Sequence, residues 1–209
     1  MASGGVPEFG FATAAPRHTA AYLRPGVMSL LPRPTEGKRL LDMGCGNGYW
    51  VGEMSALGMK CVGIDASQQG IAVARQAHPD ARFECMLFPD SPCETLGEQA
   101  FDVVVSTEVV EHLYDPRQWA RAAFSALKPG GCLICSTPYH GYLKNLALGV
   151  TGKLERHFTA LWDGGHIKFW SRKTLTQLLE EAGFRDIQFR GAGRAPYLWM
   201  SMVLRGTRP

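Results

Sequence analysis

The chain has 209 residues, 45% of them hydrophobic and 20% charged, with a formal net charge of +3. That length suits one domain with a proper core, and that composition is ordinary for a globular protein rather than a disordered or fibrous one. The small charge is not gathered into one run, so neither nucleic acid nor an anionic membrane is indicated as the main partner.

Residues 1–18, rich in Gly, Ala and Pro, are expected to be a flexible N-terminal segment, and 19–209 a single domain. The opening "MASGGVPEFG" has no basic region followed by an apolar one, and no apolar run reaches the roughly 20 residues of a membrane span. "TAAYLRPGVMSLL" (19–31) has near-helical apolar spacing interrupted by Pro25. "KRLLDMG" (38–44) is a short apolar strand running into glycines, and "YWVGEMSALG" (49–58) is a helix that stops at Gly58. "KCVGIDAS" (60–67) is a second strand, residues 68–79 a helix ending before Pro79, and "ARFECMLF" (81–88) a third strand. "FDVVVST" (101–107) is a nearly continuous apolar run, the mark of a strand buried on both faces of a parallel sheet.

"DPRQWARAAFSALKPGG" (115–131) predicts a helix with Pro116 in its first turn, followed by the strand "CLICSTP" (132–138). Cys132 and Cys135 have C-x-x-C spacing, but without a second such pair they read as small core residues. Six cysteines with no secretory signal fit a reducing cytoplasm. Residues 138–170 read as a long irregular insertion or lid on the acceptor side. Then come a helix at 171–184 with Ser171 as its N-cap, and two last strands, 184–193 and 197–206. Seven strands alternating with helices predict an α/β doubly wound, mostly parallel sheet with helices on both faces. Ligands in such sheets bind at the carboxyl ends of the strands.

"LLDMGCGNG" (40–48) places Gly44, Gly46 and Gly48 directly after the first strand, with Asp42 two residues before the first of them. No lysine follows to hold phosphates, and an aspartate here would repel a pyrophosphate but suit a ligand carrying an ammonium group. Asp65, ending the second strand, is placed to accept from both hydroxyls of a ribose.

This ordered set resembles the class I S-adenosylmethionine-dependent methyltransferases, which have a Rossmann-like fold. "LLDMGCGNG" is similar to the family's first motif and "VGIDAS" to its second, while "FDVVVSTEVVEHL" and "LKPGGCLICSTP" resemble its later strands. The resemblance implies that Gly44, Cys45, Gly46 and Gly48 pack against the methionine part of the cofactor and that Asp42 faces its amino group. It further implies that Asp65 and Ala66 hold the ribose, Cys85 and Met86 flank the adenine, and Thr107 and Glu108 line the reactive end.

"EVVEHL" (108–113) follows a strand where chemistry happens in this fold. If it is helical, Glu108, Glu111 and His112 share one face. With His166 of "DGGHIKFWS" as a fourth ligand, they would suit a divalent Mg, Mn or Zn ion that lowers the pKa of an acceptor hydroxyl. E-x-x-E-H with a later histidine is similar to metal-assisted O-methyltransferases, among them the ubiquinone-biosynthesis type. Other small-molecule methyltransferases carry the pattern without an ion, and there His112 or His166 would be the general base with Glu108 on the cofactor side.

The expected activity is O-methylation of a small aromatic or lipid-like hydroxyl acceptor. N-methylation, ribose 2′-O-methylation and a non-catalytic cofactor-binding sensor are the alternatives. Residues 142–154 are weakly amphipathic and suit peripheral contact with a membrane or a lipid-like substrate. Oligomeric state stays open.

Overall fold

The computed structural model describes residues 10, 13–15, 18–158 and 160–209, so most of the expected flexible segment lies outside the described residues. Seven strands form one sheet, in the order β3-β2-β1-β4-β5-β7-β6. They are β1 (Arg39–Met43), β2 (Lys60–Asp65), β3 (Arg82–Cys85), β4 (Phe101–Thr107), β5 (Leu127–Pro138), β6 (Arg185–Ala192) and β7 (Ser201–Thr207). β1 to β5 run parallel, whereas β7 is antiparallel to both β5 and β6. The expected doubly wound, mostly parallel sheet is the one found. The helices are α1 (Ala20–Leu30), α2 (Tyr49–Ser55), α3 (Gln68–Ala77), α4 (Pro92–Leu96), α5 (Pro116–Ala126), α6 (Tyr142–Val150), α7 (Leu154–Phe158) and α8 (Arg172–Glu181).

Strand alternation sends neighbouring side chains to opposite faces, and β4 shows the result. Val104 packs with Trp119 and Ala123 of α5 and Leu175 and Leu178 of α8. Val103 and Val105 pack on the other face with Leu23, Val27 and Leu30 of α1 and Trp50 and Met54 of α2. Cys132 and Cys135 are both buried, but they face these two different layers, so the C-x-x-C spacing joins nothing and the core reading stands.

Pro25 does not interrupt α1 but lies within it. An internal proline costs a helix about 3 kcal/mol, and the stripe Ala20, Leu23, Val27 and Leu30, buried against the sheet, outweighs that cost. The stretch expected to be irregular contains α6 and α7, and α4 was not anticipated at all. β5 begins at Leu127, ahead of the expected Cys132, with a shift in its pairing to β4 between Phe101 and Val103. Ser171 caps α8 as expected, accepting from Thr174 N in a capping box. Among the described residues no helix is long and apolar enough to cross a membrane.

One buried hydrogen-bond chain ties α5 to the site edge of the sheet. Trp119 Nε1 donates to Ser106 Oγ at 3.2 Å, and Ser106 Oγ donates to the Met43 carbonyl at 2.6 Å, immediately before the glycine loop. Trp119→Ala is expected to destabilise the protein by about 3–5 kcal/mol, the usual loss for a fully buried tryptophan. Urea unfolding followed by circular dichroism measures it.

Candidate functional site

The loop after β1 is built from left-handed backbone. Gly44, Gly46 and Gly48 have φ of 86°, 50° and 80°. A Cβ on Gly44 would stand 2.4 Å from Val109 Cγ2, and one on Gly48 would stand 2.9 Å from Ala74 Cβ, so side chains are excluded by both conformation and space. Gly44 N and Cys45 N donate to the Ile64 carbonyl at 2.8 and 3.0 Å, folding the loop over the end of β2. Asp65 joins the two turns: its carboxylate accepts from Gly46 N and Ser67 N, each at 2.8 Å. Asn47 Nδ2 donates to the carbonyls of Thr13 and Ala15 at 2.8 and 2.9 Å, so the loop also holds a piece of the N-terminal segment.

Asp42 is fully buried in β1, and neither carboxyl oxygen has a hydrogen-bond partner. Burial, aided by the charge of Asp65, pushes its carboxyl up to about 8. A buried, unsatisfied acid is a costly group to keep, and a ligand ammonium would both neutralise it and complete its hydrogen bonds. Cys45, also buried, has its thiol pushed well up by burial and then by Asp42 and Asp65, so it packs as a neutral thiol. Cys85 is exposed beside this edge, its Sγ 3.6 Å from the Ala66 carbonyl, while Met86 N donates to the Asp65 carbonyl at 2.9 Å. The residues expected on the adenine side thus meet those expected at the ribose. Thr107 closes β4 opposite Ser136 of β5.

The shared helical face expected for "EVVEHL" does not form. Glu108 has φ 54°, and only Val110–His112 form a single 3-10 turn. Left-handed backbone at a non-glycine residue is strained, and here Ser136 and Ser201 hold it. Glu108 N donates to the Ser136 carbonyl at 3.0 Å, Ser136 Oγ donates to Glu108 Oε1 at 2.8 Å, and Ser201 Oγ donates to Oε2 at 3.3 Å. Burial raises the Glu108 carboxyl to about 7 against the pull of the two serines and Lys144.

Glu111, 1% exposed, accepts from Thr137 Oγ1 at 2.9 Å through Oε2, while Oε1 has no partner. Burial and then the charge of Glu108 raise its carboxyl well above the ordinary value. His112 Nδ1 lies 3.0 and 3.2 Å from the carbonyls of Gly164 and Gly165. Carbonyls only accept, so Nδ1 carries a proton, and in the neutral ring the lone pair is then on Nε2. The segment bearing His166 is clasped to this turn by Ile167 N and Lys168 N, which donate to the Glu111 carbonyl, and by Trp170 Nε1, which donates to the Val110 carbonyl. The result brings ligand atoms of Glu111, His112 and His166 within 4.8 Å of one another. Glu108 is not part of that group, because its left-handed turn directs its oxygens to the two serines.

His166 Nε2 stands 4.0 Å from Glu111 Oε1, too far for a hydrogen bond. Burial, followed by His112, lowers His166 to about 4, so it is neutral near pH 7 and no salt bridge forms. Ser136, Thr137, Ser201 and Asn47 complete the site, and sequence reading missed all four. A small hydroxyl residue at the end of "CLICSTP" carries no signal until the register of β5 against β4 is known.

Asp42 titrates higher in the folded than in the unfolded chain, so its native form keeps a proton that the unfolded chain loses above about pH 4. Stability is therefore intact at low pH and falls as pH rises towards 8. Asp42→Asn is expected to remove this slope, gaining on wild type by up to about 1.4 kcal/mol per pH unit between pH 5 and 8. Thermal unfolding of the ligand-free protein across that range tests it; parallel curves would refute it.

Residues 16–188 match the family described as "Methyltransferase domain". The chain is 37% identical over 171 residues to a ubiquinone biosynthesis O-methyltransferase from Ruegeria pomeroyi, covering 80% of this chain and 68% of that one. Its counterpart from Dinoroseobacter shibae is 38% identical over 165 residues, covering 77% and 65%. Among solved structures, an S-adenosylmethionine-dependent methyltransferase from Mesorhizobium loti superposes with a TM-score of 0.65 at 20% identity, over 89% of this chain and 97% of that one. A magnesium protoporphyrin IX methyltransferase from Synechocystis, with bound S-adenosylhomocysteine, gives 0.66 at 18%, over 90% and 82%. With a family match across most of its length and relatives above one-third identity, the chain belongs to the class I S-adenosylmethionine-dependent methyltransferases.

Proposed function

We propose that this methyltransferase transfers its methyl group to the oxygen of a small aromatic or lipid-like hydroxyl acceptor, with Glu111, His112 and His166 holding a divalent cation beside that oxygen. The observation that carries the reading is the unpartnered, buried Glu111 Oε1 grouped with two histidines, one of them fixed by carbonyls as an Nδ1–H tautomer. A ring N–H held by a backbone carbonyl is the common outer support of a metal-ligating histidine. His166, neutral near pH 7, is a ready ligand and too weak a base to serve well alone. The names of the curated relatives support oxygen as the atom methylated. A cation of this ligand set, Mg, Mn or Zn, supplies Lewis acidity that lowers the pKa of a nearby hydroxyl.

S-adenosylmethionine, when bound, supplies an already activated sulfonium methyl. The chain's own work is therefore alignment and charge. Asp42 would meet the ligand ammonium, Asp65 the ribose hydroxyls, and the glycine loop would admit the methionine part without a Cβ in the way. Glu108, oriented by Ser136 and Ser201 just after β4, would line the reactive end of the cofactor. Trp162 stands edge-on to His112 and tilted to His166, at ring distances of 5.9 and 5.3 Å, and Leu154, Phe158 and Leu161 line an open apolar pocket with it. Such walls favour an aromatic or lipid-like acceptor. The exposed apolar side chains of α6, Tyr142, Leu143, Leu146 and Val150, extend that character outward and suit an acceptor held at a membrane surface.

Three variants test the reading. Glu111→Gln and His166→Ala are expected to lose bound metal by elemental analysis and to lower methyl transfer to catechols about a hundredfold or more. Both should keep S-adenosylhomocysteine affinity within a few-fold. Asp42→Asn should do the reverse, weakening S-adenosylhomocysteine about tenfold or more in calorimetry while leaving metal content unchanged. A protein that takes up no divalent metal and methylates amines rather than hydroxyls would overturn the proposal.

A further inference from the structure

A chain of hydroxyls reaches Glu108 from three elements. Tyr22 of α1, half-buried, brings its hydroxyl to 3.4 Å from Ser201 Oγ of β7. Ser201 Oγ donates onward to Glu108 Oε2 at 3.3 Å, so its own proton is spent and Tyr22 is the donor in the first link. Ser136 Oγ of β5 closes the far end, donating to Glu108 Oε1 at 2.8 Å. Burial, against the bond to Ser201 and with the charges of Glu108 and Glu111, pushes the Tyr22 phenol upward, so it stays a neutral donor.

None of these donors is a cation. Glu108 enters no ion pair among the described residues. Lys144 attracts it through space but spends its ammonium on the carbonyls of Tyr139 and Met200, at 2.8 and 3.3 Å. The surroundings thus supply hydrogen bonds to both oxygens of an ionised Glu108 and leave its charge uncompensated. Asp42 is the opposite case, since neither of its oxygens has a partner and an ammonium would bring the missing donors. A sulfonium has no N–H or O–H to give and offers charge alone. A carboxylate already hydrogen-bonded at both oxygens suits such a cation. Its place suits it too. Glu108 follows β4, the neighbour of β1, and the next residue, Val109, lies over the glycine loop, where a Cβ on Gly44 would come within 2.4 Å of its Cγ2.

We infer that Glu108, seated by Ser136, Ser201 and Tyr22, is the residue by which this site tells charged S-adenosylmethionine from its neutral product. When the methyl leaves, the electron pair of the C–S bond stays on sulfur and the positive charge there disappears. The carboxylate then loses its attraction for that atom, whereas Asp42 and Asp65 hold cofactor and product alike. Glu108 therefore biases the exchange of spent for fresh cofactor, and Tyr22 and Ser201 are positioning residues that act through it. This role rests on the cofactor placement proposed above and is independent of the acceptor and the cation.

The test is calorimetric titration of S-adenosylmethionine and of S-adenosylhomocysteine, without acceptor, into wild type and variants. Glu108→Gln keeps the size of the side chain and removes its charge, so the cost of seating the methyl cancels in the comparison. It is expected to shift the ratio of the two dissociation constants about tenfold or more in favour of the product. Tyr22→Phe and Ser201→Ala should each shift it the same way by about threefold, and neither should shift it further in a Glu108→Gln background. S-adenosylhomocysteine affinity within a few-fold of wild type reports an intact site; should Glu108→Gln fail to fold, Tyr22→Phe decides. A ratio that Glu108→Gln leaves within about twofold overturns the inference. One that moves with Glu108→Gln but with neither hydroxyl variant overturns the seat. Asp42→Asn should weaken both ligands by the same factor. If it weakens neither, the cofactor placement falls. If it weakens both while Glu108→Gln leaves the ratio alone, the placement stands and the discrimination falls.

Discussion

Three acids along the carboxyl edge of one sheet, two of them buried and Glu108 half-buried, set the terms for this molecule. Asp42, Glu108 and Glu111 come from β1, from the residue after β4 and from the turn that follows it, and each is pushed upward by its own burial. Charge of one sign concentrated in a low-dielectric place opposes folding. The sheet can carry the cost because its middle is apolar on both sides: Leu40, Leu41, Val103, Val104, Leu133 and Ile134 are fully buried. What the acids lack, the ligands of a methyltransferase possess, namely an ammonium group and, in the proposed mechanism, a divalent cation. The ligand-free protein is thus an incomplete electrostatic object, and binding finishes what folding leaves uncompensated.

Much of this could be read from the chain, because the signals are local. A glycine after each turn of "GCGNG", an acid before it and another nineteen residues after Gly46 are short-range facts that need no partner to be interpreted. The continuous apolar run of β4 and the cap at Ser171 are of the same kind. What resisted reading depends on distant pairings. Glu108 leaves its helix-like pattern because Ser136, 28 residues away, and Ser201, 93 away, capture it, and no spacing rule within "EVVEHL" encodes that. Pro25 is tolerated only because α1 has the sheet to press against. α6 was legible in the weakly amphipathic pattern of 142–154, whereas α7 was hidden in a stretch that reads as an insertion.

The segment from Trp162 to Trp170 shows how a region with little regular structure can still position chemistry. It has no helix or strand of its own, yet carbonyls of Gly164 and Gly165 orient His112, and its amides grip the Glu111 carbonyl. His166 is placed by the hydrogen bonds of its neighbours rather than by an element. Support of this kind is rigid only while the turn at Val110–His112 and the segment hold each other, so the geometry of the Glu111, His112 and His166 group is a property of the pair.

The place of β7 has a consequence for the order in which the molecule is made. β6 precedes β7 in the chain, but it touches the sheet only through β7, which lies between it and β5. While the polypeptide is still emerging from the ribosome, β6 has no strand to pair with, and Glu108 lacks the hydroxyl of Ser201. A nascent chain can therefore complete its five parallel strands, glycine loop and the surroundings of Asp42 early, and acquires the Ser201 contact last. Until then the growing protein exposes the unpaired edge of β5, an interval in which that strand is open to pairing with another chain.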